Sequence, residues 1–142
     1  MIIKNLSKED FDKIVQLQSQ CFPDGWSKQM LESGIASGNM QGLVAINGDI
    51  LLGFITYSVN SDFAEILDIL VCPAHRKTGV ATTLFNKFLT LIKGVTKKVS
   101  LEVRSSNEQA KNFYNKMGFK ELYVRKKYYQ DGENALIMER EI

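Results

Sequence analysis

The passage from Ile66 to Leu84 constrains this chain most, because an apolar run, a proline stop and a glycine loop lead directly into a helical pattern. Ile66-Leu67-Asp68-Ile69-Leu70-Val71 reads as a buried strand, and Cys72-Pro73-Ala74-His75 as a turn. Arg76-Lys77-Thr78-Gly79-Val80-Ala81 reads as a loop that becomes the first helical turn. A helix beginning this way leaves backbone N–H groups unpaired at the positive end of its dipole, a ready place for a phosphate. Arg76 and Lys77 add cationic side chains, while Gly79 and Ala81 keep the backbone approachable. The passage therefore predicts a phosphate-bearing ligand held mainly by backbone.

The rest of the chain must supply a fold around that passage. Its 142 residues are enough for one domain, spanning 1–142, with a real core. With 44% apolar and 24% charged residues, the composition is that of a globular protein rather than a disordered one. A net charge of +2 is too small to point to nucleic acid, though it suits a ligand with several negative charges. No signal pattern and no apolar run of membrane-spanning length is present, so a cytoplasmic protein without membrane contact is expected. Cys21 and Cys72 form neither a disulfide framework nor a metal-spaced pair, and the lone His75 speaks against a histidine metal site; no metal is expected.

In chain order, Met1–Lys4 reads as a strand, and Ser7 caps a helix whose face carries Phe11, Ile14, Val15 and Gln18. Phe22-Pro23-Asp24-Gly25 breaks it, and Ser27 caps a second helix ending at Gly38-Asn39. Asn47-Gly48 marks a hairpin between Leu43–Ile46 and Ile50–Val59, and the central strand follows from about Ala64 to Val71. After the glycine loop, Ala81, Leu84, Phe85, Phe88 and Ile92 share one helical face. Lys98–Arg104 alternates strictly, with Val99, Leu101 and Val103 opposite Ser100, Glu102 and Arg104. Ser106 or Asn107 caps a helix that stops at Gly118, and Phe119–Tyr129 with Glu133–Glu139 reads as a closing hairpin around Asp131-Gly132. This order predicts an α/β chain with a mixed sheet and helices on both faces.

With that order in place, Arg76-Lys77-Thr78-Gly79-Val80-Ala81 resembles the Arg/Gln-x-x-Gly-x-Gly/Ala signature of the GNAT superfamily of N-acetyltransferases. A second block is more specific: Leu101-Glu102-Val103-Arg104-Ser105-Ser106-Asn107, with Ala110, Tyr114 and Gly118-Phe119. Together with Arg125, Tyr128-Tyr129 and Ala135-Leu136-Ile137-Met138, it resembles the bacterial ribosomal-protein-alanine N-acetyltransferases and their protein N-terminal relatives. The likeness spans nearly the whole chain and includes Phe22-Pro23 and Trp26-Ser27. Three departures stand out: Ala81 where glycine is common, Asn134 where aspartate often follows the glutamate, and Gly25 inserted before Trp26.

The resemblance implies an acyl-CoA N-acyltransferase fold with a mostly antiparallel sheet, acetyl-CoA as co-substrate, and a protein N-terminus as acceptor. The first candidate acceptor is the N-terminal alanine of a small-subunit ribosomal protein. It also implies that the N–H groups of Lys77, Thr78, Gly79, Val80, Ala81 and Thr82 take the diphosphate beside Arg76, and that the Ile69, Leu70 and Val71 backbone pairs with pantetheine amides. An N–H near Leu70 or Val71 would hold the oxyanion. Glu102 takes the place of the general base and Tyr114 that of the general acid, in direct transfer without an acyl-enzyme. Asn107 would bond the cofactor, and Trp26, Tyr128, Tyr129 and Glu133 would shape the acceptor site. A monomer is expected rather than a dimer.

The residues themselves leave alternatives open. Glu102 could be a solvated strand glutamate or a partner of Arg104, and Tyr114 lies on the apolar face with Ala110, Phe113 and Met117. Asn107 could simply cap its helix, and Glu65 and Asp68 are second-choice bases. An enzyme of this fold acting on a small amine or lysine is one rival, and a CoA-binding module without turnover is another.

Overall fold

A computed structural model describes residues 1–21 and 25–142; the expected break at Phe22-Pro23-Asp24 lies outside the described residues. The elements run β1 (Ile2–Asn5), α1 (Phe11–Ser19), α2 (Lys28–Ser37), β2 (Gln41–Asn47), β3 (Ile50–Val59), β4 (Ala64–Val71), α3 (Val80–Ile92), β5 (Lys98–Arg104), α4 (Glu108–Lys116), β6 (Lys120–Arg125) and β7 (Ala135–Glu141). Short 3-10 turns at Lys8–Asp10 and Pro73–His75 precede α1 and follow β4. The hydrogen-bonded strand order is β1-β2-β3-β4-β5-β7-β6. Pairs β1·β2, β2·β3, β5·β7 and β6·β7 are antiparallel, and β4·β5 is parallel, giving the expected mixed, mostly antiparallel sheet.

The chain divides into two compact units. The first holds Met1–Ser58 and Leu67–Ile92. Its α1 and α2 pack Phe11, Ile14, Leu17 and Leu31 against Val44, Phe54 and Leu70 of the strands. Tyr57 lies three positions from Phe54, hence on the other strand face, where its ring sits 4.7 Å from Phe88 of α3. Helices thus cover both faces of this part. Each fully buried side chain such as Phe54, Phe88 or Leu31 contributes about 1.5–3 kcal/mol. An exposed ion pair such as Lys28–Asp12, at 3.2 Å, contributes about 0–1 kcal/mol, so apolar packing dominates. Gly53 lets β3 approach β4 closely, since a Cβ there would lie 2.7 Å from the Leu70 carbonyl oxygen.

Local signals in this unit act as the sequence predicts. The Ser7 N–H donates to Asp10 Oδ2 at 2.9 Å, and Ser27 Oγ accepts from the Met30 N–H at 3.1 Å. Strand β4 differs from expectation: Ala64, Ile66, Leu70 and Val71 are buried, but Glu65, Leu67, Asp68 and Ile69 are half-buried. Its register with β5 runs over Ala64–Ile66 against Val99–Leu101, and the residues beyond lack that neighbour.

The second unit holds Val59–Ile66 and Lys93–Ile142. Strand β5 alternates as predicted, with Val99, Leu101 and Val103 buried and Ser100, Glu102 and Arg104 half-buried. The closing hairpin forms as expected, β6 pairing antiparallel with β7, but its strands are shorter and the connection runs from Lys126 to Asn134 instead of making a tight turn; β7 also pairs with β5. Strand β6 is exposed along its length, and an irregularity between Glu121 and Tyr123 interrupts its ladder, a common way of guarding a sheet edge.

Candidate active site

In the first unit, the loop after β4 has an anion-binding geometry. Lys77 and Gly79 both take left-handed backbone angles, with φ of 61° and 88°. Thr83 N–H closes an α-helical bond on the Gly79 carbonyl at 3.0 Å, so the N–H groups of Val80, Ala81 and Thr82 fall within the unpaired first turn. A Cβ added to Gly79 would meet nothing within 4 Å, so the glycine serves the backbone angle and leaves open space beside it. The Arg76 guanidinium turns back: Nε donates to the Val71 carbonyl at 3.2 Å and Nη2 lies 3.5 Å from Cys21 Sγ. The Thr78 hydroxyl donates to the His75 carbonyl. These side chains brace the loop, while Lys77 and Gly79 are exposed.

Two further candidates lie in this unit. Trp26 is clasped through its backbone by buried Gln18: the Trp26 N–H donates to Gln18 Oε1 at 2.8 Å, and Gln18 Nε2 donates to the Trp26 carbonyl at 3.1 Å. The indole packs half-buried against the α1–α2 core. Asp68 on β4 sits among protein atoms that push its carboxyl up to about 7, opposed only by a hydrogen bond from the Ile69 N–H.

In the second unit, Glu102 is the centre of a polar cluster. The Glu102 carboxylate raises the Tyr128 phenol beside it above its ordinary value, with burial adding to the effect and Arg125 opposing it. Arg125 Nη1 lies 3.6 Å from Glu102 Oε1, and the Arg125 guanidinium sits over the Tyr123 and Tyr128 rings at 5.8 and 5.6 Å. Glu65 is raised by burial first and by the Glu102 charge second, against a lowering by Arg125. Its register partner is Ser100, on the same β5 face as Glu102.

Next to this cluster, the Lys126–Asn134 connection is bonded to the turn that begins α4. Glu133 Oε1 accepts from the Ser106 N–H at 3.0 Å and from the Ser106 hydroxyl, and Oε2 accepts from Arg104 Nη1 at 3.1 Å. Arg104 also donates to Asp131 Oδ2 at 2.8 Å and stacks 4.1 Å from the centre of the Tyr129 ring. The Ser105 N–H donates to the Asn134 carbonyl at 3.0 Å. Asn107 caps α4, its Oδ1 accepting from the Ala110 N–H at 3.1 Å. Tyr114 is 6% exposed, with its ring 5.6 Å from both Phe113 and Phe119.

The sequence singles out Glu102 and Tyr128 separately, and misses Arg104 and Ser106 as partners of Glu133. Strict alternation on β5 places Arg104 on the Glu102 face and was the available signal. Ser106 had none, because its partner lies 27 residues away.

Residues 11–119 match the Acetyltransferase (GNAT) family. The chain belongs to that family. A Bacillus subtilis (strain 168) protein named as a candidate [ribosomal protein bS18]-alanine N-acetyltransferase is 32% identical, over 96% of this chain and 92% of its own length. An N-alpha-acetyltransferase from Saccharolobus solfataricus is 28% identical, over 97% and 91%. Among solved structures, Ard1 from Thermoplasma volcanium superposes with a TM-score of 0.91 at 26% identity, covering 99% of this chain and 97% of that one. The ribosomal-protein-S18-alanine N-acetyltransferase from Escherichia coli gives 0.85 at 26% identity, covering 99% and 93%.

As a GNAT enzyme, this acetyltransferase takes acetyl from acetyl-CoA and transfers it to an amine. The first unit's loop suits such a donor, with unpaired helix N–H groups, two left-handed residues and open space at Gly79. Among the described residues, no helix of this acetyltransferase is long and apolar enough to cross a membrane.

Proposed function

We propose that the acceptor of this acetyltransferase is the N-terminal α-amine of a protein, with the N-terminal alanine of a small-subunit ribosomal protein as first candidate. The observation that carries the reading is the Glu102 carboxylate, half-buried and paired with Arg125 at 3.6 Å, whose guanidinium also covers the Tyr128 ring. An α-amine ionises near 7.7–8.0 and a lysine near 10.4, so a carboxylate can deprotonate the former with little help. Relatives named as protein N-terminal acetyltransferases, aligned along nearly their full lengths, support the same class of acceptor.

In this reading the Lys77–Thr82 N–H groups hold the diphosphate, with Lys77 adding charge and Arg76 bracing the loop on Val71. The Ile69–Val71 backbone pairs with the pantetheine amides. Acetyl-CoA supplies the acetyl group as a thioester when bound. Glu102 takes the proton from the amine, Tyr114 gives a proton to the departing thiolate, and Asn107 bonds the cofactor while capping α4. Trp26, Tyr128 and Tyr129 shape the acceptor site. The enzyme acts in the cytoplasm as a monomer, without nucleic acid.

The test is free-thiol release from acetyl-CoA with peptides beginning in Ala, Ser, Met or Gly, beside internal-lysine peptides and polyamines. Turnover with the Ala or Ser peptides is expected. Turnover confined to polyamines or internal lysines would end the protein N-terminal reading and leave the family assignment standing.

A further inference from the structure

Glu133 carries a carboxylate bonded to three donors from the turn ahead of α4 and from β5. It accepts from the Ser106 N–H, the Ser106 hydroxyl and Arg104 Nη1. The hydroxyl and backbone bonds from Ser106, helped by Arg104 and opposed by burial, hold its ionisation below the usual carboxylate range. A negative charge here also lies just ahead of α4, where the helix dipole favours it.

Both ends of this bonded set lead to reacting groups. On one side, Ser106 precedes the Asn107 cap of α4, the helix that carries Tyr114. On the other, the Glu133 carbonyl accepts from the Tyr129 N–H at 3.1 Å, and the Tyr129 carbonyl accepts from the Gly132 N–H at 2.9 Å. Asn134 Oδ1 accepts from the N–H of Lys127, which holds a left-handed φ of 51°. The loop that presents Tyr128 to Glu102 is therefore fixed by Glu133, its neighbour Asn134 and Asp131, whose Oδ1 accepts from the Glu133 N–H.

We propose that Glu133 is a positioning residue and not an acceptor contact: by clamping Ser106 and Arg104 it fastens the Lys126–Asn134 connection to the start of α4, holding Tyr128 beside the Glu102–Arg125 pair. The inference deepens the proposed function, since it takes Glu102 as the base. Charged and titratable groups around the clamp are Arg104 and Asp131 on Glu133, and Arg125 and Glu65 with Tyr128 on Glu102.

The experiment is an NMR titration of ring-labelled tyrosine in the full chain, with Tyr128→Phe to assign the resonance. In the parent protein Tyr128 should ionise above the ordinary value near 10. In Glu133→Ala it should fall back toward that value, with Glu133→Gln between the two, while thermal unfolding and the Tyr57 resonance report that the fold is kept. A Tyr128 titration unchanged in a folded Glu133→Ala protein would overturn the proposal. Kinetics give a second reading: kcat should drop about 10-fold with both KM values within about threefold, in keeping with loss of a group that places a catalytic one. A raised acceptor KM with kcat intact would make Glu133 an acceptor contact and also overturn it. Full activity in Glu102→Gln would remove the base assignment instead, without altering what the Glu133 variants do to the Tyr128 titration.

Discussion

The Arg76–Thr82 loop and the Lys126–Asn134 connection follow opposite designs. The first is a short local bend in which backbone N–H groups of the α3 start stay open and the side chains of Arg76 and Thr78 brace it from behind. The second is a long connection in which the Asp131, Glu133 and Asn134 side chains bond to one another's backbone, to Arg104 and to the α4 turn. A site made of backbone tolerates side-chain change and recognises a generic group such as a diphosphate. A site made of a side-chain network is intolerant of change, and the choice of acceptor can be written there. Their carboxyls differ in the same sense. Asp131 is lowered by the Glu133 N–H, and Glu133 is lowered by Ser106, whereas Asp68, on the strand entering the open loop, is raised by burial.

The largest expected effect breaks the network side alone. Glu102→Gln keeps the shape and removes the proposed proton acceptor, so kcat should fall about 10²–10⁴-fold, the range for loss of a general base. Binding of CoA by calorimetry should stay within about twofold. A Glu102→Gln enzyme retaining more than a tenth of parent kcat would shift attention to Glu65, its partly buried neighbour across the β4·β5 ladder.

Asp68 gives the next effect, in stability rather than rate. Its carboxyl is held near 7 in the folded chain against about 3.9 unfolded, so between these values the native state binds more protons than the unfolded one. Stability contributed by this group therefore falls as pH rises from about 4 to about 7. Linkage over roughly three units sets an upper bound of about 4 kcal/mol. Asp68→Asn should raise the denaturation midpoint at pH 8, by about 2 kcal/mol in free energy after allowance for local relaxation, and leave it little changed at pH 4. Equal gains at both pH values would mean that the carboxylate charge is not the cause.

A smaller loss should follow Gly79→Ala. With φ at 88° and no atom near the new methyl group, the cost is backbone strain of about 1–2 kcal/mol and not a clash. The loop should relax toward negative φ and turn its N–H groups away. Affinity for CoA is expected to drop about 5–30-fold, with kcat at saturating acetyl-CoA reduced less than threefold. A kcat loss without an affinity loss would separate this loop from diphosphate binding.

These contrasts also explain what could be read from the chain alone. The bend at Gly79, the caps at Ser27 and Asn107 and the alternation of β5 depend on neighbours within four residues, and each is visible in the string. The pairing of β7 with β5 joins segments far apart in the chain, and nothing periodic in Phe119–Glu139 foretells it or the long connection inside the hairpin. The same holds within the site. Glu102 was legible from strand alternation and from its resemblance to a family base, but its nearness to Tyr128 arises from a loop shaped by Glu133, Asn134 and Ser106. Arg76 shows the same limit: its place in the signature says nothing of the bonds its guanidinium makes to the Val71 carbonyl and to Cys21.

Lys77 is the exposed cation of the backbone-built site, beside the half-buried Arg76, and Lys77→Ala should have the smallest effect of the set. Exposed and free to move, its ammonium interacts with a bound diphosphate across water, where a pair of unit charges at about 4 Å is worth about 1 kcal/mol before screening. Removing it should weaken CoA binding about two- to fivefold in dilute buffer, and the difference should shrink toward nothing by 1 M salt, where the Debye length is about 3 Å. Backbone donors held at a helix start are fixed and partly shielded, so the affinity that survives in Lys77→Ala should depend less on salt than the parent's. A loss of 50-fold or more, or one that salt does not diminish, would assign the diphosphate to side-chain charge and remove the difference between the two regions.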